Sequence, residues 1–290
     1  MGQTLSYMGS PDPRLDSHGS IDLRLKHQLR YYSKTDPPPR RVQPIPLPII
    51  KRLVDLVTDD HNATESRKAI RDLVILAYYF LMRPGEYCTS TGEDASHPFH
   101  LDELELWRGA IRFPLTTATD PDLLTATFSM LVFSNQKNAN RGEKVGHATS
   151  GDQIFCPVRA LARRVIHLRR NMAPAHTPIH CYYEQFRGRQ LRIPATSINL
   201  LLKQAATFEG HDPAGVTIEA LRATGAMALI VARIDSVLIR LLGRWQSDSM
   251  LRYLHVQAVP VLQNFARAMN AYGHLQPLPA ADNFVHRPPL

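Results

Sequence analysis

Nothing in this chain of 290 residues approaches the ~18 consecutive apolar residues that carry a helix across a bilayer. Its most apolar run, 73–82, is short and ends at Arg83, so it predicts a buried helix and no membrane partner. Residues 1–20 are polar and lack the basic-then-apolar order of a secretory signal. Cysteine is scarce: Cys88, Cys156 and Cys181 form no CxxC pair. An odd, scattered set argues against a disulfide framework and suits a reducing compartment. No Cys/His cluster has ligand spacing, so neither a metal nor another cofactor is expected. Lysine is scarce too, with seven among 34 basic residues, and no internal repeat is visible.

What is present is arginine. It carries most of a formal net charge of +8, with a pI near 9.6. Guanidinium forks suit bidentate phosphate contacts, so the excess points toward a polyanion such as nucleic acid, although proteins without such partners can be equally basic. Hydrophobic residues make up 44%, enough for an ordinary core.

Along the chain, 1–45 reads as an N-terminal remnant with a short helix (21–32) and a stiff proline-rich connector, Asp36-Pro37-Pro38-Pro39. Helical periodicity begins at 46–57 and resumes after Thr64, a candidate N-cap, until Pro84-Gly85. Short strands follow at 100–107, 109–113 and 125–133, and 138–146 reads as a polar, glycine-bearing turn. Further helices are expected at 157–170, 197–208, 217–232, 235–242, 250–255 and 259–272, with a strand at 179–183. The fold class is therefore mainly α with a small antiparallel β-sheet (α+β). The body spans 46–274, and 275–290 is a loose, proline-rich tail.

Four segments hold candidate chemistry. Arg83-Pro84-Gly85-Glu86 ends the apolar helix; an arginine there also suits the helix dipole alone. Lys137 lies in Asn135-Gln136-Lys137-Asn138 at a strand end, as a phosphate contact, a proton donor or a solvated turn lysine. Arg222 interrupts an Ala/Leu/Met-rich helix, and a charge on such a face needs a partner. That partner is Glu219, one turn away, or an anion brought from outside. Finally, Leu242-Gly243-Arg244-Trp245 ends a helix, and Tyr253 follows in Leu251-Arg252-Tyr253, as a nucleophile or a packed tyrosine.

In this order the segments resemble the tyrosine recombinase (phage-integrase) family over about 46–274. The wording around Lys137 and Tyr253 is similar to recombinases of eukaryotic Crypton- and DIRS-type mobile elements. The resemblance implies a tyrosine recombinase catalytic-domain fold acting on double-stranded DNA. It also implies strand cleavage and rejoining through a 3′-phosphotyrosyl intermediate at Tyr253, and self-assembly on DNA as a dimer or tetramer. Localisation would be nuclear in a eukaryote and cytoplasmic otherwise. Arg83 and Arg222 would grip the scissile phosphate, and Lys137 would protonate the leaving 5′-oxygen. Two positions depart from the pattern. Glu219 stands where His or Lys is usual, and its carboxylate would repel the phosphate or serve as a base. Arg244, followed by Trp245, stands where His or Trp is usual; Arg offers charge-assisted bonds and Trp one neutral bond. The N-terminal segment reads as a truncated core-binding region, and the corresponding alternative to catalysis is a DNA-binding relic of a mobile-element recombinase.

Overall fold

The apolar run 73–82 is the centre of the molecule: every one of its ten residues has no exposed surface. A computed structural model describes residues 12, 14–16, 18–35, 44–89, 97–134, 142–184, 188–232, 234–245 and 259–272. The chain divides into two units, Met1–Arg41 and Val42–Leu290. The first contains helix α1 (Leu23–Thr35), whose Leu23, Leu29, Tyr31 and Tyr32 are exposed. Ile45 already belongs to the second: it is buried, and its N–H donates to the Thr224 hydroxyl at 2.9 Å.

The second unit opens with α2 (Leu47–Thr58) and α3 (Glu65–Tyr79). The Thr64 hydroxyl accepts from Arg67 N–H, so the expected N-cap is present. A single turn, α4 (Pro84–Tyr87), precedes β1 (Leu104–Arg108) and β2 (Ile111–Arg112). Then come α5 (Asp120–Leu124), β3 (Phe128–Val132) and β4 (Lys144–Ala148). The sheet is antiparallel with strand order β2-β1-β3-β4. The turn expected over 138–146 thus ends early. Lys144, Val145 and Gly146 already pair with Val132, Leu131 and Met130, because Val145 and His147 bury their side chains. The glycine that suggested a turn instead leaves room for the Phe128 ring, which a Cβ would strike.

Helix α6 (Pro157–Arg170) packs on the sheet and on α3. A two-stranded ribbon, β5 (Cys181–Tyr183) and β6 (Gln190–Arg192), leads to α7 (Ala195–Phe208). Helices α8 (Glu219–Val231), α9 (Ser236–Gly243) and α10 (Val259–Tyr272) complete the unit. The fold is mainly helical with a small antiparallel sheet, as the sequence predicts. Among the described residues, no helix is long and apolar enough to cross a membrane.

One contact fixes where α8 sits. A Cβ on Gly225 would strike the Tyr78 carbonyl oxygen and Leu81, and would lie 3.2 Å from the Met269 methyl. Helix α8 therefore crosses α3 at a distance that only glycine permits. Gly225→Ala should lower the thermal midpoint, because overpacking costs about 1–3 kcal/mol against the ~1 kcal/mol gained in helix propensity. An unchanged or raised midpoint would refute the close crossing.

Candidate functional site

The end of α3 brings the chemistry together. After Phe80 the chain turns through Leu81, a non-glycine residue at φ +50°, and leaves the Phe80 and Leu81 carbonyls without helical donors. Arg83 then caps α4, and its N–H donates to Glu86 Oε2 at 2.9 Å. Glu86 is completely buried. Such a carboxylate needs cations close by, and two are present. Arg83 Nη1 stands 3.8 Å from Oε1, and Arg244 Nη2 donates to Oε2 at 2.6 Å.

Arg244 reaches this position through the backbone at the end of α9. It adopts a left-handed conformation, φ +56° and ψ +39°, which ends the helix and turns its side chain inward. Its Nη1 and Nη2 also donate to the Phe80 and Leu81 carbonyls at 3.2 and 3.4 Å, and the guanidinium lies 4.4 Å from the Phe133 ring centroid. Two strained non-glycine residues, Leu81 and Arg244, are thus tied to each other. The Arg244 side chain has no exposed surface. Burial pushes its pKa down, while Glu86 opposes that shift.

The left-handed turn also folds Trp245 back over Gly243, where any Cβ would collide with the indole. That is the physical reason for glycine in Gly243-Arg244-Trp245. The indole face then supports Arg222, whose guanidinium carbon lies 4.5 Å from the ring centroid. Arg222 Nη2 donates to the Gly243 carbonyl, and its buried Nε has no hydrogen-bond partner among the described residues. Burial, followed by Arg244 and Arg83, lowers the Arg222 pKa to about 10, so it stays cationic at neutral pH; Glu86 acts the other way. Arg83, Arg222 and Arg244 thus gather around the buried Glu86, and Glu143 also favours the Arg244 cation.

The ion pair between Arg222 and Glu219 is not formed. Glu219 is exposed in the first turn of α8, where the helix dipole favours an acid, and Arg222 bonds to the α9 end instead. Glu219 adds to the strongly raised pKa of Tyr87 and to that of Cys88, pushed up to about 12; burial is the larger cause in both. The structure therefore brings Arg83, Arg222, Arg244 and Trp245 together, with Glu219 on the same helix face region as Arg222 but unpaired with it. Lys137 and Tyr253 lie outside the described residues.

Two contributors are hard to see in sequence: Phe133 as the platform for Arg244, and Glu86 as its counter-ion. Glu86 had a signal in its place three residues after Arg83, whereas the Phe133 contact had none. Compared with models of known protein families and with curated proteins, the chain matches none.

Proposed function

We propose that this chain is a DNA strand-transfer domain of the tyrosine recombinase type, which cleaves and rejoins double-stranded DNA through Tyr253. The observation that carries this reading is Arg222, braced by the Gly243 carbonyl and the Trp245 face, with an Nε unpartnered among the described residues, in the field of Arg83 and Arg244. Such a seat suits an anion whose charge grows during reaction, as on the non-bridging oxygens of a phosphodiester under attack. In the proposed step the Tyr253 oxygen bonds to phosphorus and gives up its proton to solvent water. The bond from phosphorus to the 5′-oxygen breaks, and that oxygen takes a proton from Lys137. A 5′-hydroxyl of another strand later reverses the step. Tyrosine is a weak nucleophile near its free pKa of ~10, and a cationic pocket favours its phenolate. Arg244 would act by holding the α9 turn rather than by touching the phosphate, since Glu86 occupies it.

A nicked suicide substrate tests this. Wild type should form a covalent protein–DNA adduct at low salt, and Tyr253→Phe should abolish it while leaving DNA retardation intact. Absence of an adduct with wild type on its own site would overturn strand transfer.

One observation favours a second reading, a non-catalytic DNA-binding relic: the exposed carboxylate of Glu219, without an ion pair among the described residues, lies one turn from Arg222. Under that reading, retardation depends on Arg83 and Arg222, no adduct forms, and Glu219→His restores none.

A further inference from the structure

A cationic cavity of about 520 Å³ lies toward the other end of α3, where that helix meets α5, α6 and β5. Its walls include Lys68 and Arg71 from α3, and Arg163, Arg164 and Arg170 from α6. Three carboxylates share it, and each is already divided between two bases. Asp72 binds Arg71 at 3.0 Å and Arg163 at 2.7 Å. Asp120 binds Arg169 and also Arg170, the latter at 2.7 Å. Glu65 binds Lys68 at 2.9 Å and His167 Nδ1 at 3.1 Å.

Arg164 is left over. It is 2% exposed, and among the described residues its guanidinium donates to the carbonyls of Ile179 and Cys181, while Asp72 and Glu65 favour its charge without bonding to it. A buried guanidinium without a bonded carboxylate costs more than a paired one, and an anion in the cavity would lower that cost. His167 adds no further positive charge, because it stays neutral. Its Nε2 accepts from the Tyr183 N–H at 3.0 Å, and burial, then Arg164, pushes its pKa down to about 4. Five cations therefore face three carboxylates in one concavity, a surplus of two positive charges.

We propose that this cavity binds a phosphoryl group, carried by a free phosphorylated small molecule or by a nucleic-acid backbone. One phosphate monoester dianion, or two phosphodiesters of a nucleic-acid backbone, would match the surplus in charge, and guanidinium forks match their oxygens. The cavity exceeds the volume of orthophosphate, so the group would belong to a larger molecule. The proposal is independent of strand transfer, since none of its residues belongs to the Arg222 cluster.

The test uses the full chain. Binding of inorganic phosphate is measured by calorimetry, and binding of random-sequence duplex DNA by fluorescence anisotropy across a salt series. The variant is Lys68→Gln/Arg170→Gln, two partly exposed side chains whose loss leaves three cations against three carboxylates. If the ligand is a free phosphorylated molecule, phosphate binding weakens about tenfold or more in this variant and is unchanged in Arg222→Ala. If the source is DNA, phosphate binding is negligible, while duplex affinity falls and the salt slope drops by roughly two. A control of equal charge change, Arg52→Gln/Lys203→Gln, must then lose less. Phosphate binding lost only in Arg222→Ala, a DNA effect no larger than the control's, or no effect on either ligand would overturn the proposal.

Discussion

Replacing Glu86 with glutamine is expected to cost about 3–5 kcal/mol of folding stability, the range for breaking a buried ion pair from one side. Both partners are fully buried, so water cannot re-solvate the guanidinium that remains. Glutamine can still accept from Arg83 N–H, yet it offers no charge to Arg244. The strained turns at Leu81 and Arg244 lose their common anchor, since Arg244 holds the Phe80 and Leu81 carbonyls only while its guanidinium stays in place. Urea unfolding measures the loss. The double variant Glu86→Gln/Arg244→Met should recover part of it, because an apolar pair leaves no stranded charge. A single variant within about 1 kcal/mol of wild type would show that the pair does not hold the site together. The functional consequence follows from geometry: when the α9 turn loosens, the Gly243 carbonyl and the Trp245 face no longer fix Arg222.

That chain of dependence explains which features were legible in the sequence. The core helix was, because ten consecutive buried positions need no partner to be recognised. So were the Thr64 cap and Pro157 at the start of α6, which act within a turn of their own positions. The arginines of the site stood out because each interrupts an apolar stretch. Their partners did not. Glu86 and Arg244 are 158 residues apart, and Arg222 finds its acceptor on a different helix from the nearby Glu219. Local spacing favours an i,i+3 pair, but a left-handed turn at Arg244 presents a carbonyl and an aromatic face that satisfy Arg222 better. β4 was missed in part for a similar reason. Gly146 resembles a turn residue in isolation, and only the Phe128 ring lying against it shows that a strand passes there.

The same strand carries the residue whose replacement should change acid stability most. His147 is fully buried on β4, edge-on to Phe80 at 4.7 Å and Tyr79 at 6.0 Å between ring centroids. The Tyr79 backbone favours its cation slightly, but neither ring nitrogen makes a hydrogen bond of proper geometry. Burial pushes the His147 pKa from 6.5 down to about 3. As pH falls below 6.5 the unfolded chain takes up this proton while the folded chain does not. Stability is therefore full above that pH and falls at about 1.4 kcal/mol per unit toward pH 3. His167 and His180, each pushed down to about 4 mainly by burial, act with the same sign. His147→Leu, similar in shape and without polar atoms, should raise stability at pH 7 by about 1–3 kcal/mol, since it removes buried unpaired groups. It should also flatten the acid limb by one proton's slope. Denaturant midpoints of both proteins from pH 7.5 to 4.5 measure this. Parallel curves would mean that His147 takes up its proton in the folded state as readily as in the unfolded one, and that the ring is not the acid-sensitive point of the sheet.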